Sequence, residues 1–223
     1  MLKTSETLRT GLPQAKHDFD AMSTEDLGAM MRGLHGGALG HGYLLAEHLD
    51  LAQYKHLVDV GGGSGGITIA ACESCPNLRA TVVDLPKTVD IAAEFLAEAG
   101  MTERVELEAV DVTKFVPEGD FDVAVLRSML QILSPEQAKK VVENVSHSLA
   151  SGGTIVILGI MVDDSRLSPP GAAAFNLVFM NFYDDGRCYT ESEQRGWLEA
   201  AGFVNIRRET LPDGAQLITA RKG

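Results

Sequence analysis

The sequence predicts an α/β fold: a doubly wound, mostly parallel sheet of seven strands carrying an antiparallel hairpin strand at its C-terminal end. Three observations predict it. From Leu57 onward, short apolar runs alternate with helical stretches, and strands joined through helices pair in parallel. The first run opens onto Gly61-Gly62-Gly63-Ser64-Gly65-Gly66, a strand-to-helix turn that admits positive φ and lets a ligand lie on bare backbone. The chain then closes on two strand-like runs separated by Pro212-Asp213-Gly214, which reads as a hairpin.

Taken in order, residues 1–55 form a helical extension ahead of an α/β domain over 56–223. Ser23, Thr24 and Asp26 offer an N-cap and a first-turn carboxylate before Leu27, Met30, Met31 and Leu34, which recur at helical spacing. Gly33, Gly36, Gly37, Gly40 and Gly42 follow; they either break the helix or let something approach its backbone closely. A second helix is expected through Leu44, Leu45, His48 and Leu49. Strands are expected at 56–61, 80–84, 105–109, 121–127 and 154–159, with helices at 65–75, 86–99 and 135–150 between them. The last of these helices opens at Ser134-Pro135-Glu136 as N-cap and N1 proline. A helix over 190–201 precedes the terminal strands at 203–209 and 216–221.

With 223 residues, 45% of them hydrophobic and 22% charged, the chain has the composition of an ordinary soluble domain. No apolar run approaches the ~20 residues that span a bilayer, and the N-terminus lacks a basic-then-apolar leader, so a cytoplasmic protein without a membrane partner is expected. A formal net charge of −12 argues against nucleic acid, which needs clustered Lys and Arg. Cys72-Glu73-Ser74-Cys75 spells C-x-x-C. It falls at a helix end before Pro76 without a second pair to complete a zinc site, so it reads as packing. The scattered His residues lead to no expected metal. His147, late in its helix, suits the C-terminal dipole.

Gly61, Gly63 and Gly66 also fit G-x-G-x-x-G, and Asp84 ends the second strand, where a carboxylate can accept both hydroxyls of a ribose. Nicotinamide and adenosylmethionine sites share these features. Asp59 ahead of the glycines, Asp111-Val112 after the third strand, and the reversed terminal strand favour the second.

At these residues the chain resembles the plant-type O-methyltransferase family, which includes caffeic acid, isoflavone and hydroxyindole O-methyltransferases and bacterial polyketide relatives. The resemblance runs from about residue 25 to the C-terminus. It rests on the stretch from Leu57 to Gly65, Val83-Asp84-Leu85-Pro86, Asp111-Val112, Leu126-Arg127-Ser128-Met129-Leu130-Gln131, and Tyr189-Thr190-Glu191 leading to Trp197-Leu198. It implies a Rossmann-like class I methyltransferase using S-adenosylmethionine, with S-adenosylhomocysteine as product. Asp59, Gly61, Gly63, Gly65 and Leu85 would line the cofactor, Asp84 hold its ribose, Asp111 and Val112 meet its adenine, and Arg127, where the family usually has Lys, contact it. Asn176, Phe179, Met180 and Tyr183 would face a small-molecule acceptor; Phe175, Val178, Phe179 and Phe182 read equally as a core stripe. The glycine-rich segment with His35 would pass over the cofactor, the 1–55 extension covering the site.

Two departures bear on catalysis. The family usually begins with a winged-helix dimerisation domain, which this sequence lacks, so a homodimer is carried by the resemblance alone. The family's general-base His corresponds to Gln131, and the carboxylates that orient it correspond to Gly159 and Cys188. Gln131 cannot take a proton, which favours a thiol, thioether, carboxylate or activated carbon over a phenol; His35 and Tyr183 are the candidates for a replacement base, with His41 behind them. A module that binds S-adenosylmethionine or S-adenosylhomocysteine without catalysis is the alternative, and a nicotinamide-dependent oxidoreductase the third reading.

Overall fold

In the computed structural model, which describes residues 3–19 and 21–223, one seven-stranded sheet organises the chain. Its strands are β1 (His56–Val60), β2 (Arg79–Asp84), β3 (Val105–Ala109), β4 (Phe121–Arg127), β5 (Leu149–Gly159), β6 (Phe203–Thr210) and β7 (Gln216–Lys222), in the order β3-β2-β1-β4-β5-β7-β6. The first five are parallel. β7 runs antiparallel to both β5 and β6, so the expected hairpin inserts its second strand into the sheet. Strand order reverses between β1 and β4, and a crevice for ligand opens at the C-terminal ends of the strands there.

Alternation along each strand feeds both faces. Leu57, Val123, Val125, Val156 and Leu158 point to one side. Val58, Val60, Ala124, Leu126, Ile155 and Ile157 point to the other, which is why these strands read as unbroken apolar runs. On the first side lie α2 (Thr24–His48), α3 (Gly66–Ser74) and α4 (Pro86–Glu98), burying Leu45, Ile67, Cys72 and Leu96. On the second lie α5 (Pro135–Ser148) and α7 (Glu191–Ala200), contributing Val141, Val142, Val145 and Leu198. Both begin with full capping boxes, Ser134 with Gln137 and Thr190 with Glu193. Each pair satisfies amide donors that would otherwise be orphaned at the helix start.

The glycine-rich segment corrects one expectation. It does not divide two helices; α2 is a single helix of 25 residues, capped where Ser23 Oγ accepts from the Asp26 amide. Its glycines have different reasons. A Cβ at Gly42 would stand 2.6 Å from Ala70 Cβ, and one at Gly66 would stand 2.7 Å from Ala38 Cβ. The two helices therefore cross backbone to backbone at this pair. Gly33, Gly36 and Gly40 face open space. Tertiary contact, rather than helix propensity, holds the element together.

Ahead of α2, a short helix α1 (Thr4–Thr10) docks on α6 (Pro170–Phe182). Buried Asn181 makes the joint: its Oδ1 accepts from the Lys3 amide and Thr7 hydroxyl, and its Nδ2 donates to Thr4 Oγ1 and the Leu177 carbonyl. The chain then runs extended beside the end of α6, with the Ala15 amide donating to Asn181 O and the His17 amide to Phe182 O. Residues 1, 2 and 20 of the expected extension lie outside the described residues. No helix among the described residues is long and apolar enough to cross a membrane.

Candidate active site

The turn after β1 is built so that side chains are excluded. Gly61 has φ 66° and Gly63 φ 58°, a region that L side chains rarely adopt. A Cβ at Gly61 would also lie 2.8 Å from Met129 Cγ. The Gly61 amide donates to Val83 O at 2.8 Å, and the Gly63 amide to Asp84 Oδ2 at 2.9 Å. Asp84 Oδ1 accepts from the Leu85 amide at 2.7 Å. Burial raises the Asp84 pKa, and these backbone bonds oppose the rise. The Thr88 hydroxyl opposes it too; a carboxylate has about four acceptor positions, so room remains for a ribose hydroxyl.

Behind the glycines, Asp59 is 1% exposed. It accepts from Thr68 Oγ1 at 2.9 Å, and desolvation pushes its pKa up to about 6. The Asp84 charge adds to that rise, whereas Arg127 opposes it. Arg127 is fixed in turn: its Nε–H donates to His41 Nδ1 at 2.7 Å, and His41 Nε2 lies 2.9 Å from Asp213 Oδ2 in the terminal hairpin turn. With Nδ1 accepting, the imidazole proton belongs on Nε2. Burial, then Arg127, lowers the His41 pKa, against the pull of Asp213.

Across the crevice, Asp111 accepts from the Thr113 amide and hydroxyl at 3.0 and 2.6 Å and pairs with Lys114 at 2.7 Å. Burial works to raise its pKa, but the Lys114 and Thr113 hydrogen bonds prevail and hold it below the usual carboxylate range. Val112 is buried, and Asn144 Nδ2 donates to its carbonyl at 2.8 Å.

These groups line one end of a cavity of about 850 Å³, at the upper part of the range for small-molecule sites. Bare glycine backbone, a carboxylate with acceptor capacity left, a buried apolar step at Val112 and a fixed guanidinium suit an amino-acid-bearing nucleoside such as S-adenosylmethionine. The other end is aromatic, walled by Phe19, Phe175, Phe179, Phe182 and Tyr183 with Ile132 and Ile160. Met30, Met31, Leu34 and Ala38 of α2 also contribute to the wall.

Gln131 belongs to this second end. It is 7% exposed, and its Nε2 donates to the Ile160 carbonyl at 3.2 Å. A Cβ at Gly159 would collide with the Gln131 amide, so glycine there makes room for glutamine at 131. Cys188 is buried, its thiol pushed up to about 11 by burial and set 3.6 Å from the Ala172 carbonyl. The Tyr183 phenol is likewise raised by burial. None of these is a ready base at neutral pH.

The structure brings Asp59, Gly61, Gly63, Asp84, Leu85, Asp111, Val112, Arg127, Gln131, Phe179 and Tyr183 to the cavity wall. Gly65, His35, Asn176 and Met180 are not on it. Gly65 is the N-cap of α3 at φ 70°. His35 turns away: its Nδ1 lies 2.8 Å from Ser64 Oγ, and its ring packs on Phe95 at 4.4 Å. Asn176 Oδ1 accepts from the Cys188 amide at 2.7 Å, and Met180 is exposed on α6. Phe175, Val178 and Phe182, weighed as a core stripe, are wall residues instead. Sequence reasoning missed Lys16, His17 and Phe19, all on the wall. Their segment has no periodicity, and no motif marks it.

The fold and cavity define the class of S-adenosylmethionine-dependent methyltransferases. The chain belongs within it to the family of the O-methyltransferase domain, whose model matches residues 17–204. It is 36% identical over 165 residues to 3-hydroxy-5-methyl-1-naphthoate 3-O-methyltransferase of Streptomyces sahachiroi, covering 73% of this chain and 47% of that protein. It is 29% identical over 161 residues to L-tyrosine C(3)-methyltransferase of Streptomyces lavendulae, covering 71% of this chain and 44% of that one. The chain thus spans about half the length of these curated relatives. The solved structure of PigF with SAH superposes with a TM-score of 0.89 at 21% identity, covering 99% of this chain and 68% of that one.

Proposed function

We propose that this chain transfers a methyl group from S-adenosylmethionine to a small, largely aromatic acceptor without a base at position 131. The observation that carries the reading is Gln131: an amide, tied to the Ile160 carbonyl, on the wall of the acceptor end. When bound, S-adenosylmethionine supplies an electrophilic methyl whose bond to sulfur breaks with its electron pair left on sulfur. Asp84 would hold the ribose, Asp111 and Val112 the adenine, and Arg127 the amino-acid end, with Asp59 bracing the glycine turn. Phe179, Tyr183 and the neighbouring rings would clamp the acceptor in line, and orientation of this kind supplies about 7–11 kcal/mol. The α2 segment from Met30 to Ala38 would cover the site.

An amide orients but does not deprotonate. A phenol of pKa near 10 is only about 0.1% ionised at pH 7, so sulfur, carboxylate or activated carbon is favoured over a phenol whose proton would leave toward position 131. That one relative is named for transfer to oxygen and another for transfer to carbon supports a scaffold that fits more than one acceptor atom. Gln131→Ala is expected to lower kcat/KM for thioether or carboxylate acceptors by no more than about tenfold, the worth of one hydrogen bond. Efficient methylation of a simple phenol that is lost in Gln131→Ala contradicts the reading.

A further inference from the structure

We propose that His41 is a positioning residue: it holds the Arg127 guanidinium so that its two outer nitrogens meet the carboxylate at the amino-acid end of the cofactor. The proposal deepens the methyl-transfer reading above and rests on its assignment of Arg127 to that end.

Arg127 ends β4 on the cavity wall and is only partly exposed. Burial disfavours its charge, and Asp59 offsets this only in part. Among the described residues it belongs to no ion pair, and of its donors only Nε–H has a partner, His41 Nδ1 at 2.7 Å. Nη1 and Nη2 have none, and neither is sealed from solvent. A guanidinium carries five N–H donors, so four remain on the edge that a carboxylate grips with both oxygens. A half-buried cation without a paired carboxylate is costly until an anion reaches it. Gly37 belongs to the same arrangement: a Cβ there would stand 3.2 Å from Arg127 Nη2, so glycine leaves the guanidinium its place beside α2.

His41 is not on the cavity wall, so it acts through Arg127 and not on a ligand. Its ring is fixed from both sides. Arg127 Nε can only donate, and the Asp213 carboxylate, held ionised by a lowered pKa, can only accept. Both partners therefore select one neutral tautomer, with the proton on Nε2 and the lone pair of Nδ1 turned to Arg127. Burial, then Arg127, lowers the His41 pKa, which keeps that lone pair free at neutral pH. Asp213 is itself held on the exposed turn between β6 and β7, where its Oδ1 accepts from the Ala215 amide at 3.0 Å. The chain of bonds thus runs from the terminal hairpin through α2 to the end of β4.

The test is calorimetric binding of two ligands to the full chain at pH 7.5: S-adenosylhomocysteine, and methylthioadenosine, which keeps the nucleoside and sulfur but lacks the amino-acid end. Arg127→Met should weaken the first by about 10–100-fold and leave the second unchanged. His41→Leu should weaken the first by about three- to tenfold, again without effect on the second. His41→Asn puts Oδ1 where Nδ1 stood, can accept from Arg127, and should recover to within about twofold of wild type. In the Arg127→Met background His41→Leu should add no further loss. Asp213→Asn keeps the turn bond to Ala215 but sets an NH₂ donor against Nε2–H; it should weaken S-adenosylhomocysteine alone by at least about twofold, and it decides the matter if His41→Leu does not fold. The proposal is overturned if these variants bind S-adenosylhomocysteine as wild type does, if they weaken both ligands alike, or if His41→Asn recovers nothing. An Arg127→Met variant that fails to discriminate the two ligands would instead overturn the assignment of Arg127 to the amino-acid end, and the proposal with it.

Discussion

A carboxylate almost wholly removed from solvent is costly, and Asp59 is one. Its pKa of about 6 lies above the ordinary 3.8 because desolvation outweighs the Thr68 hydrogen bond. The folded state therefore binds the Asp59 proton more tightly than the unfolded state. Stability from this group is fully present below about pH 3.8 and is lost as pH rises through about 6. Asp59→Asn keeps an acceptor for Thr68 and removes the charge. It should raise the unfolding free energy by about 1–3 kcal/mol at pH 8, with the gain fading toward pH 4. Urea denaturation between pH 4 and 8 reads both; equal stabilisation at every pH would contradict it. At this scale, legibility followed chemistry. The glycines and Asp84 were visible because glycine suits a strand-to-helix turn at positive φ and a carboxylate ending the second strand is of a type that can accept from a ribose. His17 was invisible, since its place on the cavity wall comes from contact with Phe182 and Tyr183, far away in sequence. His35 misled for the same reason: glycines around it pointed to a site, and the fold turns its ring to Phe95.

The crossing of α2 and α3 decides how the α2 wall of the cavity is held. Gly66 meets Ala38 Cβ and the Leu39 amide nitrogen at 2.7 and 3.0 Å, so a side chain there pushes on backbone that has little freedom to yield. Gly66→Val is expected to cost about 1–3 kcal/mol by overpacking, whereas Gly36→Ala, on an open face of α2, should stabilise by about 0.5–1 kcal/mol through helix propensity. Thermal and urea unfolding of the two variants would check both signs. Losses from both variants would mean that α2 is not continuous through its glycines. The sequence left open whether these glycines break the helix or allow close approach, and periodicity cannot choose between them. The answer lies in Ala38 and Ala70 of the opposing surfaces. Elements of the sheet were legible to within a residue or two, apart from β5, because apolar strands bounded by caps and glycines carry their own limits. β5 begins at Leu149 rather than near 154, its Gly152-Gly153 pair lying inside the strand.

At the scale of the molecule, the reversal of strand order between β1 and β4 brings the glycine turn, Arg127 and the aromatic end of α6 around one cavity. The sheet and its terminal hairpin were legible because alternation and turn chemistry are local. The docking of residues 3–19 on α6 was not, since it depends on one buried asparagine, Asn181. Residue types at the glycine-turn end of the cavity were likewise readable, whereas the aromatic end is set by how α6 and the N-terminal segment meet. The most direct test is methyl transfer from labelled S-adenosylmethionine to a panel of thiols, thioethers, carboxylic acids and catechols between pH 6 and 9. Label should pass to at least one small acceptor, with sulfur or carboxylate served at least as well as catechol. No transfer to any acceptor, from a chain whose melting temperature S-adenosylhomocysteine still raises, would contradict it and leave a binding module without catalysis.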